Sequence, residues 1–480
     1  MSLGSHIASD CIVRVRNHEG AVGFGTIVGL SRYAVVFEMY HIGTVDRQSV
    51  VLPEVLIRRG EAEIYSGRAT VTDIVNTGYV LVVSADLMDP WSEQTGIYPG
   101  DQPHAELAGF VDEWRDDQQH VEPGFRLVVA KLRDLLAGLQ PWIERCERML
   151  GLQASCVSPH AVQQFREESW AAVHPALGEL LDRFDAAVRQ IAAPDLPSHR
   201  ALACRELFPY LLSAPFLRRV YAKPWGHAED LQLVDMMSRK TEPGEGTFGW
   251  LLNALCLTCR AARAYRDRSE WLKAQLALEA RRIHYSYRRR FHVLCVGSAA
   301  AVDIRDFLEC NHAAAWCRFH LLDFEPSSVE AAREYLQDAV DHDSGRPAVQ
   351  LSCRTLAEVV RVAGGNAVQR PQFDFVYCAG GFDYLDDWTC ELLLKRFLAW
   401  TQPGETVAAM ILNAGFPAAR WLEHLGHWHL RARNELEVRQ WAALLRGCET
   451  EVRNTGPNLV FLARRGHDSI PAEGGTPLRR

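Results

Sequence analysis

The 480-residue chain has no run of 18 uncharged apolar residues, so no segment reads as a transmembrane helix and no membrane partner is expected. Its opening residues, MSLGSHIASD, lack an apolar core and do not read as a secretory signal. It has no basic surplus. Lys and Arg total 52 against 60 Asp and Glu, a formal net charge of -8. Phosphate-binding surfaces normally show as excess positive charge, so nucleic acid is not expected as a partner. The one short basic run, Arg288-Arg289-Arg290, reads as a solvated helix end. The 13 cysteines follow no regular framework. Several sit in apolar runs, such as Cys295 in HVLCVG and Cys378 in FVYCAG, and read as reduced core thiols of a cytoplasmic protein. Cys256-x-x-Cys259 has no second pair, so it reads as core rather than as a zinc or redox motif. Internal repeats are also missing.

What is present is ordinary globular composition, 48% hydrophobic and 23% charged, long enough for two to four domains. Residues 1–97 form the first expected domain. CIVRVRN, GFGTIVGL, YAVVFEMY, AEIYSGRATVTDIV and YVLVVSADL are short Val-, Ile- and Tyr-rich runs broken by Gly, Asn and Asp. Such spacing favours a small barrel or sandwich. Residues 98–285 are expected to be helical, a linker or lid. Val128, Leu132, Leu135, Leu136 and Leu139 recur at three and four residues, and similar patterns run through 171–191, 201–221 and 249–278. Residues 286–465 change period. HVLCVG, RFHLLD, FDFVYCAG and TVAAMILN alternate with helical stretches at 302–308, 328–340, 356–362 and 389–400. That alternation predicts a doubly wound, largely parallel α/β sheet. Residues 466–480, rich in Gly and Pro, are expected to fray.

A doubly wound sheet binds its ligand beyond the carboxyl ends of its strands. Four loops there carry suitable chemistry. Gly297-Ser298-Ala299 follows the first strand with small residues that admit a ligand close to the backbone. Asp323, 26 residues on and followed by Phe324, stands where a ribose-binding acid is expected. Arg354-Thr355-Leu356 would border a base. Cys378-Ala379-Gly380 follows the fourth strand. A dinucleotide fold and a methyltransferase both satisfy this pattern. The missing G-x-G-x-x-G and an expected final hairpin around 458–463 favour methyl transfer.

FDFVYCAGGFDYLDD, TQPGETVAAMILN, EHLGHWHLRARNELE and TGPNLVFLARR resemble a bacterial family of methyltransferases for extracellular-factor 3-hydroxypalmitic acid methyl ester biosynthesis. FPYLLSAPFLRRVYAKPWGHAEDLQLVDMM and AYRDRSEWL resemble the helical region of that family, so the likeness spans roughly residues 200–465. RATVTDIVNTGYVLVVSADL resembles the PilZ-like β-barrel domain attached to some members. The RxxxR stretch and D/NxSxxG loop of cyclic di-GMP binders are missing from this block, which implies docking or dimerisation instead, with a homodimer through the N-terminal or helical domain. Ala299 stands where the family's first loop carries a second glycine.

The resemblance implies S-adenosyl-L-methionine as cofactor and a small-molecule acceptor, most simply the carboxylate of a hydroxylated fatty acid or natural-product acid. A carboxylate is already ionised at pH 7 and needs no base. Arg433 would orient it bidentately, and Tyr384 would donate a hydrogen bond. Trp225, in the rigid turn Lys223-Pro224-Trp225-Gly226, is a candidate substrate wall, and Asp383, Asn413, His424 and Trp428 complete the candidate substrate set. If the acceptor is instead a hydroxyl or amine, a base is needed, and His429 or a neighbouring histidine would supply it. A metal is not expected. On one helix His424 and His427 share a face and His429 points elsewhere. A third possibility is a non-catalytic regulator built on the methyltransferase fold.

Overall fold

A computed structural model of the chain describes residues 11–39, 45–59, 62–77, 80–89, 91, 115, 121–152, 158–227, 230–239, 244, 246–297, 300–337, 349–360, 373–416, 420–445 and 447–466. Two compact units emerge, and neither is contiguous in sequence. The first comprises residues 1–228, 240–259 and 418–429, the second 229–239, 260–417 and 430–480. The expected tail beyond Arg465 lies almost wholly outside the described residues.

The first unit opens with a closed antiparallel barrel of six strands, β1 (Cys11–Arg16), β2 (Val22–Leu30), β3 (Ala34–Met39), β4 (Val51–Arg59), β5 (Ala62–Asn76) and β6 (Leu81–Leu87), in the order β1-β2-β3-β6-β5-β4. Alternation drives it. Val13 and Val15 of β1, and Val35 and Phe37 of β3, point inward and are fully buried, while Ile12 and Arg14, which alternate with the β1 valines, are not. Strand β4, VLPEVLIRR, escapes a sequence reading because Pro53 breaks the pattern. In the barrel the β4–β5 register slips between Leu52 and Val55, at the proline, where its missing N–H costs no ladder bond.

Four long or medium helices follow in this unit, α1 (Pro123–Met149), α2 (Pro159–Val188), α3 (Leu196–Leu211) and α4 (Pro215–Ala222). Proline at the first turn of each has no donor to leave unsatisfied there. The buried stripe of α1 is Phe125, Val129, Leu132, Leu136 and Ile143, spaced by three, four and seven residues. Two later segments complete the unit, α6 (Gly246–Cys256) and α12 (Trp421–Leu425).

The second unit is a seven-stranded sheet. Strands β7 (Phe291–Val296), β8 (Cys317–Asp323), β9 (Val349–Cys353), β10 (Phe373–Ala379) and β11 (Thr401–Leu412) are parallel, and β12 (Cys448–Asn454) and β13 (Asn458–Arg465) form a closing hairpin. The order is β12-β13-β11-β10-β7-β8-β9, with β13 inserted antiparallel beside β11. The interleaved helices are α5 (Leu231–Arg239), α7 (Arg260–Tyr287), α8 (Ala300–Cys310), α9 (Pro326–Leu336), α10 (Leu356–Val360), α11 (Asp387–Trp400) and α13 (Glu435–Gln440). The sheet's core includes Leu294, Val376, Val407, Leu393, Phe397 and Phe461. The observed architecture is therefore an N-terminal barrel, a helical region and a C-terminal, largely parallel mixed sheet flanked by helices. Two expectations shift. Helix α7, expected among the central helices, packs on β7, β11 and β13 of the sheet. Residues 418–429, expected within the sheet domain, belong to the first unit. Among the described residues no helix is long and apolar enough to cross a membrane, and no disulfide joins two cysteines.

Candidate functional site

Adjacent parallel strands β10, β7, β8 and β9 end side by side, and the chemistry gathers on the loops that follow them. The strand order turns back at β7, which pairs with β8 on one side and β10 on the other. That is the crevice where doubly wound sheets bind ligands.

Gly297 follows β7 with φ +105, a conformation costly for any other residue. A side chain built on it would meet no described atom within 4 Å, so the backbone faces open space there. Its N–H donates to Leu322 O at 2.9 Å, joining the first loop to the end of β8. Ser298 and Ala299 lie outside the described residues.

Asp323 is the last residue of β8 and is 5% exposed. Its Oδ1 accepts the Glu325 N–H at 2.9 Å, which fixes the carboxylate relative to the turn into α9. Phe324 is half-buried against the sheet core. The Asp323 carbonyl accepts the Arg354 N–H at 3.0 Å, linking this loop to the next. There Thr355 and Glu358 cap α10 reciprocally. The Thr355 N–H donates to Glu358 Oε2 at 2.8 Å, and the Glu358 N–H to Thr355 Oγ1 at 3.3 Å. Arg354 and Thr355 are exposed and Leu356 is buried. Thr355 thus has a structural duty that sequence reasoning did not assign.

Beyond β10, Cys378 is buried in the core, and burial pushes its thiol up to about 12. It is a packing residue and not a reactive one. Ala379 is half-buried and Gly380 turns at φ +93. A Cβ on Gly380 would sit 2.2 Å from Arg268 Nη1, so the glycine is needed by a neighbouring guanidinium as well as by its own backbone.

Arg268, on α7, is the group the sequence reading passed over. It is 4% exposed and spans three parts of the fold. Nη2 donates to Asp383 Oδ2 at 2.5 Å and Nε to Asn458 Oδ1 at 2.7 Å, while Nη1 lies against Gly380. Asp383, 2% exposed, also accepts the Leu412 N–H on Oδ1 at 2.8 Å. The Asn458 amide donates in turn to Ala264 O and Asp267 Oδ2, at 2.9 and 2.8 Å. This network locks the ends of β10, β11 and β13 to α7. Asp383 is thereby committed to an ion pair, so the structure moves it from substrate contact to framework. The signal was available: Arg268 lies in AYRDRSEWL, whose likeness to the family's helical region was evident, but buried partners are not written in a helix's own sequence.

Arg433 also changes role. Its Nε donates to Asp387 Oδ1 at 2.7 Å, Nη1 to Phe382 O at 2.8 Å and Nη2 to Leu385 O at 2.7 Å. The guanidinium lies over the Trp441 ring, 5.3 Å from its centroid, and the residue is 2% exposed. Its donors hold the 3-10 turn Gly381–Tyr384 and the start of α11. It is a frame for the loop bearing half-buried Tyr384, not a free fork for a carboxylate. Asn413 is likewise structural. Its amide donates to Gly456 O at 2.8 Å, its carbonyl accepts the Gly415 N–H at 2.9 Å, and its backbone bridges to Arg433.

The remaining candidates, Trp225, His424, Trp428 and His429, fall in the first unit. Trp225 is half-buried in the expected turn, where Lys223 and Gly226 take φ +42 and +83. Trp428 is 1% exposed beside Phe216. Burial, then the nearby Arg200 charge, holds His424 and His429 well below the usual histidine range.

No family model and no curated protein matches the sequence. Solved structures do. A possible exported protein from Bordetella parapertussis is 13% identical over 50% of this chain and 80% of its own, with a TM-score of 0.38. An O-methyltransferase family protein from Burkholderia thailandensis is 13% identical, covering 76% and 98%, with a TM-score of 0.34. Magnesium protoporphyrin IX methyltransferase from Synechocystis PCC 6803 with bound SAM is 11% identical, covering 43% and 82%, with a TM-score of 0.30. These are distant likenesses.

Proposed function

We propose that the second unit binds S-adenosylmethionine along the ends of β7 to β10 and transfers its methyl group to a small-molecule acid. The reading rests on one juxtaposition: Gly297, Asp323, Arg354–Leu356 and Ala379–Gly380 stand on four neighbouring strand ends. These residues fit the cofactor. Open backbone at Gly297 admits it closely, the carboxylate of Asp323 can accept both ribose hydroxyls, and Phe324 and Leu356 offer apolar surface for the base. The bound sulfonium would supply an electrophilic methyl carbon.

The chain's own work is then orientation. In-line displacement depends on alignment, and well-oriented reactants gain up to several kcal/mol or more. An ionised carboxylate acceptor needs no general base, which suits a loop whose Asp383 is already spent on Arg268. Tyr384 donates to the acceptor, and Arg433 is a positioning residue that holds the turn carrying it. The family resemblance points to a hydroxylated fatty acid or related natural-product acid.

The test is to incubate the full chain with methyl-labelled S-adenosylmethionine and a panel of hydroxylated fatty acids. Label in a product that mild alkali hydrolyses is the expected result. Label in an alkali-stable product replaces the ester reading with methylation of a hydroxyl or amine. Failure to bind the cofactor at all leaves a non-catalytic fold.

A further inference from the structure

The first unit holds a cluster of titratable groups that methyl transfer does not use. Asp86, on β6, faces His427 and His429 in the segment after α12. Three potential ligand atoms, one from each residue, lie within 4.8 Å of one another. His427 Nδ1 is 3.6 Å from Asp86 Oδ2. Ligand atoms around a tetrahedral ion at bond lengths near 2.0–2.1 Å are roughly 3.3 Å apart, so small side-chain rotations close the set.

We propose that Asp86, His427 and His429 form a binding site for a divalent transition-metal ion, with an open position for a further ligand. The observation that carries this is a pair of orphans. His427 Nδ1 and His429 Nε2 are buried and have no hydrogen-bond partner. A buried polar atom left unpaired costs about 1–3 kcal/mol, which a metal bond removes. His427 is 9% exposed and sits at φ +49, an uncommon conformation for a residue other than glycine. Ser49 anchors the backbone of His429, accepting its N–H at 2.5 Å and donating to its carbonyl at 2.9 Å. The third histidine is excluded by its surroundings: His424 packs edge-on against Phe184 and Phe125, 5.7 and 6.5 Å between centroids.

Helix α12 ends at Leu425, so His427 and His429 leave the helix and are not held to its faces. Two positive groups oppose a dication here. Arg200 is ion-paired with Asp86, and Lys223, whose Nζ donates to Gly426 O at 2.9 Å, lies within Coulombic reach of both histidines. A carboxylate offers about four acceptor positions, so Asp86 can serve Arg200 and a metal together, with Arg200 as the outer partner that orients it.

The full chain, stripped with a chelator and dialysed, is titrated with Zn2+ by calorimetry and with Co2+ by visible absorption. One equivalent of Zn2+, a Co2+ spectrum of low-coordinate nitrogen–oxygen ligation and a raised melting temperature are expected. Losing even an outer partner typically weakens metal sites about 10–100-fold, so His429→Gln and Asp86→Asn should each weaken binding at least about 100-fold. His427→Gly relieves the backbone and should still lose binding, which separates ligation from misfolding. No binding by the wild type, or equal binding by correctly folded His429→Gln and His427→Gly variants, overturns the site.

Discussion

Replacing Arg268 by Met removes a charge from a place where water cannot substitute for it. Arg268 and Asp383 are 4% and 2% exposed, and their side chains meet at 2.5 Å. The variant keeps most of the side-chain volume but leaves the Asp383 carboxylate buried with only the Leu412 N–H, and leaves Asn458 Oδ1 without its donor. Breaking one side of a buried pair costs about 3–5 kcal/mol, because the surviving charge is uncompensated. For a unit of this size each kcal/mol shifts the melting temperature by about 2–4 °C, so a drop of roughly 6–20 °C is expected. Asp383→Asn should also destabilise, since its single amide oxygen can serve the Leu412 N–H or the guanidinium but not both, and its NH2 then faces the other donor. The double variant should be milder than the sum of the two, with a coupling of about 0.5–3 kcal/mol. Thermal unfolding followed by circular dichroism measures all three. A loss below about 1 kcal/mol for Arg268→Met, or strict additivity, refutes the claim that this network ties the strand ends to α7.

Asp303 supplies a pH prediction. Burial raises its carboxyl from 3.8 to about 6, and Tyr265 Oη donates to it at 3.1 Å. A raised carboxyl pKa means the folded state binds the proton more tightly, so this group favours folding below about pH 4 and costs stability as pH climbs through 6. At 1.36 kcal/mol per pKa unit the cost at pH 7 is about 3 kcal/mol. Asp303→Asn should therefore stabilise the protein at pH 7 and do little at pH 4, as denaturant titrations at the two pH values would reveal; equal effects at both would contradict it. Gly380→Ala should destabilise by about 1–3 kcal/mol through its positive φ, and more if Arg268 cannot move, read from the melting temperature. Arg433→Gln should lower thermal stability while leaving the Michaelis constant for the acceptor less affected than kcat; a selective rise in the Michaelis constant would return Arg433 to direct substrate contact.

Period and punctuation made much of the architecture legible. The four long sheet strands, the closing hairpin and five of six barrel strands follow from runs such as HVLCVG and YAVVFEMY, because buried strands must be apolar or alternate. Strand β9 stayed hidden because VQLSC is short, polar and at the sheet's edge, and its burial is only partial. Strand β4 was masked by Pro53. Within the candidate site, the positions of Gly297, Asp323 and Gly380 at the ends of their strands are legible from the apolar runs that precede them. Arg433 reads as a substrate residue through the family resemblance, and Asp383 and Asn413 because polar groups just after a strand look functional in sequence. Most of their partners lie tens of residues away, carbonyls and a carboxylate for Arg433, a guanidinium and the Leu412 N–H for Asp383 and the Gly456 carbonyl for Asn413, which no local pattern records. The same blindness hid Arg268, and it hid the approach of Asp86 to histidines over 300 positions further on.

The proposed function requires the strand ends to bind S-adenosylmethionine with Asp323 on its ribose. Isothermal calorimetry of the full chain and of Asp323→Ala tests it directly. The wild type should bind one equivalent, and the variant, with an unchanged melting profile, should bind about 1–3 kcal/mol more weakly, roughly 5- to 150-fold. Equal affinity in a folded Asp323→Ala variant, or no heat of binding in the wild type, would contradict it.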